Sequence, residues 1–138
     1  MTASYPLMVT AHSEKIIHCW NLESVARGQF NPIHVVESPL KFQTSAICCF
    51  ADGKGYAVGS IEGRCGIVNV NLSNVDQVDS RDFCFKCHRV ENQTTGDGDV
   101  YTVNCISFNK AHNTLCTVGS DGQFIIWNKD SKSRYKAS

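Results

Sequence analysis

Apolar residues in this chain come in short runs broken by Gly, Asp, Asn and Ser, and none sustains the 3.6-residue period of an amphipathic helix. The clearest pattern lies near the end, where Thr117-Val118 leads into Gly119-Ser120-Asp121-Gly122 and Phe124-Ile125-Ile126-Trp127 leaves it. Asp-Gly between two β-prone runs predicts a hairpin, because that pair supplies the turn conformation that strand twist demands. Val58 to Val70 has the same form, with Gly59-Ser60 standing where Gly119-Ser120 stands. Val9 to Leu22 is a looser third copy, with Ala11-His12 at that point.

Around these hairpins the same alternation predicts the remaining strands. Pro6–Thr10 and Lys15–Leu22 are joined across His12-Ser13-Glu14, Gly28–Pro32 turns, and Ile33–Glu37 is a short strand stopped by Pro39. Thr44–Ala51 reads as a buried strand, Asp52–Gly55 as a tight turn, and Tyr56–Ser60 with Arg64–Asn71 as the second hairpin. Leu72–Asp82 is a polar surface connection, Phe83–Arg89 an outer strand, and Val90–Asp99 a mobile loop. Tyr101–Phe108, a turn over Asn109–Asn113 and the third hairpin follow, and the basic tail from Lys129 is placed as a short last strand. The fold class is all-β. Gly59 and Gly119 stand 60 residues apart, and without the two long connections the unit falls near the roughly 40–45 residues of a four-stranded propeller blade. On that count the chain holds about three blades, at residues 5–43, 44–89 and 100–138 with a loop at 90–99, the first lacking its opening strand. Three blades are too few to close a ring. The reading is therefore part of a larger propeller, or a subunit that self-associates through open edges and exposed apolar faces.

Composition changes this picture little. A length of 138 residues suits one domain, and 42% hydrophobic with 19% charged residues allows a buried core. The formal net charge of zero argues against general nucleic-acid or membrane binding, so such contacts would need a local patch. Lys129, Lys132, Arg134 and Lys136 form one. Eight cysteines in a small secreted protein would suggest disulfides, but no charged segment followed by an apolar core opens the chain. Most sit inside apolar runs, where a reduced thiol acts as a small hydrophobe in a reducing compartment. No apolar run reaches the length of a membrane span.

The candidate chemistry is sparse. Cys84-Phe85-Lys86-Cys87-His88 matches the C-x-x-C-H pattern of haem attachment and holds a zinc half-site. A cysteine-based metal or haem protein is thus a remote alternative. Its context is wrong: no second ligand pair follows, and in an extended strand Cys84 and Cys87 point to opposite faces. Asp76, Asp79, Asp82, Glu91, Asp97 and Asp99 lie in polar connections and make no apolar-set pair for acid–base work. No nucleophile elbow or P-loop occurs, so the chain reads as no enzyme and without cofactor. Trp20 and Trp127 end their hairpins as structural indoles, and Asp121 can pair with His88 in an internal network. Arg64 and Lys86 carry two readings of equal weight. Each can be a solvated strand-edge charge, or the two, on adjacent blades, can grip an acidic peptide.

These residues also carry a resemblance. The hairpins resemble WD repeats, with Asn21 and Asn128 in place of the usual Asp. Glu37-Ser38-Pro39-Leu40-Lys41-Phe42-Gln43, Gly59-Ser60-Ile61-Glu62-Gly63-Arg64, Phe85-Lys86-Cys87-His88-Arg89 and Gly119-Ser120-Asp121-Gly122-Gln123-Phe124 recur in order. The string resembles the C-terminal part of the WD-repeat mRNA export factors of the nuclear pore, and the spindle-checkpoint propellers share most of it. Ser38-Pro39-Leu40-Lys41 and Trp127-Asn128-Lys129-Asp130 favour the export factors, whereas Phe42-Gln43-Thr44 leans to the checkpoint version. The resemblance implies a seven-bladed propeller, at the nucleus, nuclear pore and cytoplasm, that binds the acidic GLEBS-type motif of a nucleoporin. Carried over by motif, Arg64 and Lys86 meet the motif's glutamates. Phe85, Trp127, Lys129 and Lys132 match a groove for single-stranded RNA, an aromatic platform beside cations. The alternative is a checkpoint adaptor for kinases.

Overall fold

The computed structural model describes residues 1–73, 79 and 81–138, and they form three four-stranded antiparallel sheets and one small ribbon. The first sheet holds β1 (Thr2–Ser4), β2 (Leu7–Ala11), β3 (Ile16–Asn21) and, after the short helix α1 (Leu22–Ala26), β4 (His34–Glu37). The second holds β5 (Thr44–Cys49), β6 (Gly55–Ser60), β7 (Arg64–Asn69) and β8 (Phe83–Lys86). Next comes the ribbon of β9 (Arg89–Glu91) with β10 (Gly98–Val100). The third sheet holds β11 (Val103–Asn109), β12 (Thr114–Gly119), β13 (Phe124–Asn128) and β14 (Ser133–Ala137). Each sheet is a meander of sequential strands. These are WD40-type blades, and their first strands lie side by side, β5 packing against both β1 and β11.

Three expectations change. The first blade has its opening strand, β1, paired with β2 through Thr2↔Val9 to Ser4↔Leu7. Residues 90–99 are no loose loop, because Glu91 pairs with Gly98 and Val90 with Asp99 in the ribbon. Residues of α1 had no helical signal, since five residues make little more than one turn. The helix starts where the Asn21 carboxamide accepts the Glu23 backbone N–H at 3.0 Å. Most of the Leu72–Asp82 connection, Asp76 included, lies outside the described residues.

Alternation along the strands gives each blade two working faces. Leu7, Val9, Ile17 and Cys19 of blade one pack against Cys49, Tyr56 and Val58 of blade two, with Leu40 closing the seam. Phe50, Ala57, Cys65 and Ile67 face the other way, onto Val103, Ile106 and Leu115 of blade three. β5, expected to be buried throughout, is fully buried only at Cys49, and Ser45 on it is exposed.

The register corrects the sequence alignment of the hairpins. β6–β7 closes on Gly59↔Cys65, β12–β13 on Val118↔Phe124 and β2–β3 on Ala11↔Ile17. Gly59 therefore corresponds to Val118, and the two Gly-Ser pairs stand one residue out of step. His12, not Ala11, corresponds to Gly119: His12 N–H donates to the Ile16 carbonyl as Gly119 N–H donates to the Gln123 carbonyl. Lys15, Gly63 and Gly122 share the left-handed turn position, at φ 64°, 66° and 76°.

Candidate functional site

Arg64 and Lys86 sit on one blade, not on adjacent ones. Arg64 opens β7, Lys86 ends β8, and the two are directly opposite in register. Like charges facing across a ladder repel unless carboxylates stand beside them. Here Glu62 Oε1 lies 3.6 Å from Arg64 Nε, and Glu91 Oε1 lies 3.5 Å from Lys86 Nζ. A third cation completes the cluster. Arg89 Nε donates to the Glu62 carbonyl at 3.0 Å and its Nη2 to Glu62 Oε2 at 3.2 Å. Glu62 is thus held by two guanidinium groups, whereas Glu91 reaches Lys86 from the exposed ribbon. The ribbon is tied in place by Cys87 N–H donating to the Gly63 carbonyl and Tyr101 N–H to the His88 carbonyl. The arrangement is a surface patch of three cations and two carboxylates at the end of blade two. It suits multivalent pairing with an acidic chain. Sequence reading missed Arg89, Glu62 and Glu91, because their convergence depends on the ribbon folding back.

The second candidate region is the seam between blades two and three. Phe85 on β8 and Trp127 on β13 pack ring to ring, with centroids 4.4 Å apart and planes at 48°. Lys129 Nζ lies 4.6 Å from the centre of the Phe50 ring, and Lys132 Nζ 4.9 Å from that of Phe83. Both lysines border a cleft of about 250 Å³ that Ile67, Asn69 and Arg81 also line. The four groove residues fall into two pairs: Phe85 and Trp127 are half-buried and spend ring surface on each other, while the two lysines border the cleft, which neither of those rings lines. Only Lys132 points outward; the Lys129 side chain is 11% exposed, and its Nζ pairs at 2.9 Å with Oδ1 of Asp130, which also lines the cleft.

Trp127 has a second tie. Its indole N–H donates to Thr117 Oγ1 at 3.1 Å, and Thr117 Oγ1 lies 3.0 Å from Nε2 of the fully buried His88. The other imidazole nitrogen, Nδ1, is 2.9 Å from Asp121 Oδ1. The network joins His88, from the connection before blade three, to three residues of blade three. Gly119 makes room for it, because a Cβ there would run into the His88 ring. Blade one repeats half of this design. Trp20 N–H donates to Thr10 Oγ1 at 3.2 Å, and the imidazole of His12, at the Gly119 position, lies 2.8 Å from the same oxygen. His12 takes from within the seat that His88 takes from a neighbouring connection. The missed signal was the threonine ten residues before each tryptophan.

The cysteines are all free. Burial pushes the Cys87 thiol up to about 11 and the Cys19 thiol up to about 12, which disfavours the thiolate a metal needs. Among the described residues no group of three or more His, Cys, Asp or Glu is placed to hold a metal ion. No described helix is long and apolar enough to cross a membrane.

No protein-family model matches the chain. Curated relatives do. It is 42% identical over 137 residues to the Poly(A)+ RNA export protein of Schizosaccharomyces pombe, covering 99% of this chain and 36% of that protein. It is 40% identical over 137 residues to Protein RAE1 of Arabidopsis thaliana, covering 99% and 35%. It is 42% identical over 132 residues to mRNA export factor GLE2 of Chaetomium thermophilum, covering 94% and 34%. The chain thus spans about a third of the length of these homologues. Among solved structures, a chain in the crystal structure of the mitotic checkpoint complex superposes with a TM-score of 0.70. It is 15% identical and covers 99% of this chain and 38% of that one, a likeness of fold alone.

Proposed function

We propose that this chain is a segment of an mRNA export factor and works as a non-catalytic WD-repeat scaffold. It docks an acidic GLEBS-type segment of a nucleoporin on Arg64 and Lys86 and so supports the exit of messenger RNA from the nucleus through the pore. One observation carries the reading: the two cations implied by the resemblance face each other in register, half or more exposed at Lys86, with Arg89 behind them. Paired cations at a sheet edge suit carboxylates presented by an extended peptide. The test is titration of an acidic GLEBS-type peptide into the chain by calorimetry. Arg64→Glu is expected to abolish binding, because it reverses one of the two charges; an unchanged affinity would remove the site.

The second contact we propose is single-stranded RNA along the seam, with Lys129 and Lys132 meeting phosphates and Phe85 and Trp127 forming its wall. The exposed Lys132 over the Phe83 ring at the cleft favours it, with Lys129 behind it in its pair with Asp130. Replacing the exposed Lys132 by Gln should weaken oligonucleotide binding for every sequence and lower the salt dependence by about 0.7. An unaltered salt slope would place the RNA elsewhere. A checkpoint adaptor would use the same peptide mode, but sequence similarity runs to the export factors.

A further inference from the structure

The peptide site arrives with its charges already partnered, and its two partners differ. Glu62 is locked. It is 15% exposed, and its two carboxylate oxygens serve Arg64 and Arg89 while its backbone carbonyl takes Arg89 Nε. It also sits in the turn closed by Gly63, against which the His88 backbone packs too closely for any Cβ. Glu91 has none of these ties. It is 74% exposed, makes one contact of 3.5 Å to Lys86, and stands on a two-stranded ribbon whose other strand, Gly98–Val100, is exposed throughout. Asp97 and Asp99 on the same ribbon add to its negative charge.

We infer that Glu91 is an internal competitor for the acidic partner: it occupies Lys86 in the free protein and must leave when a peptide carboxylate arrives. The inference rests on the docking reading above and adds a specificity element to it. A ligand with a single carboxylate gains nothing at Lys86, since it exchanges one carboxylate for another in the same seat. A ligand with two gains at Arg64 as well, where Glu62 stays and the guanidinium remains 37% exposed. The ribbon therefore tunes the patch toward densely acidic segments and against isolated acids. Glu62 serves as a positioning residue, fixing the Arg64 fork toward solvent through the Arg89 anchor.

The experiment is a double-mutant cycle read by calorimetry with an acidic peptide carrying two glutamates, on the whole chain. Glu91→Gln should tighten binding about two- to fivefold, the range expected when an exposed ion pair no longer competes. Glu23→Gln, an equal loss of charge on α1 of blade one, should leave affinity unchanged. In a Lys86→Gln background the gain from Glu91→Gln should vanish. Equal gains from Glu91→Gln and Glu23→Gln would reduce the effect to net charge and overturn the inference. So would a gain that persists without Lys86. If neither the wild type nor Glu91→Gln takes up the peptide, the docking reading fails and the competitor role falls with it; wild-type binding that Glu91→Gln does not improve sinks the competitor role alone.

Discussion

A cysteine in an apolar run is ambiguous on paper, and burial decides its chemistry. Cys19 and Cys65 have no exposed surface, and desolvation raises both thiols, Cys19 from 9.0 to about 12. In the unfolded chain the same thiols ionise near their ordinary value. Above that value the unfolded state therefore holds fewer protons than the native one, and stability falls as pH rises. The contribution is complete below about pH 8.5–9 and is lost as pH climbs through the folded values. Each thiol should cost up to about 1.4 kcal/mol per pH unit in that window. Urea unfolding at pH 7, 9 and 10.5 checks this; a flat profile would mean these thiols are hydrated in the native state. Cys84 and Cys105 are exposed and should react with a thiol reagent in the folded protein, while Cys19 and Cys65 stay silent.

At the scale of the element, the hairpin is the unit that repeats, and one position in it governs how blades join. At Gly119 the absence of a side chain admits His88, which ties two elements together through Thr117 and Asp121. At the same position in blade one, His12 supplies the imidazole itself. Gly119→Ala should cost about 1–3 kcal/mol through overpacking. In a His88→Ala background most of that cost should disappear, because the two closest clashes are with the ring and the third is with the Asp121 carboxylate that the ring holds. Thermal unfolding of the four proteins measures the coupling, and additive costs would mean that the glycine acts through its backbone instead. Hairpins were legible in the sequence because Asp121-Gly122 and Glu62-Gly63 announce turns. Their mutual register was not, because the Gly-Ser pairs invite an alignment one residue out of step, and only the ladder partners correct it.

Across the whole molecule, the two outer faces are unlike. On blade three, Cys116, Phe124 and Ile126 occupy the register positions that Val9, Ile17 and Cys19 fill in blade one. The latter three are buried against blade two, whereas Phe124 is 40% exposed and its cross-strand partner Val118 41%. A face patterned as core and left in solvent favours association. On blade one the outer face carries Thr10, His12, His18 and Trp20, where the Thr10 hydroxyl meets the His12 and Trp20 ring nitrogens and the three rings lie in tilted contact. We expect the isolated chain to self-associate through blade three, with Val118→Lys shifting the mass distribution toward monomer in sedimentation. Association unaffected by that substitution would point to strand edges, such as β14, as the adhesive surface.

The sequence by itself determined the hairpin strands, the all-β class and the four-stranded repeat, because each follows from local alternation and turn chemistry within about a dozen residues; it did not show β1 or the β9–β10 ribbon, short polar strands without that alternation. It also carried Arg64, Lys86 and the basic tail as the charges worth testing. Tertiary structure alone decided which charges meet. The Arg64–Lys86 register, the Glu62 fork, the return of Glu91 on the ribbon and the half-burial of Phe85 against Trp127 all join residues from separate strands or connections. Those pairings depend on ladder register and on blade-to-blade packing, and a one-residue shift turns every side chain to the opposite face. Local pattern cannot carry that information.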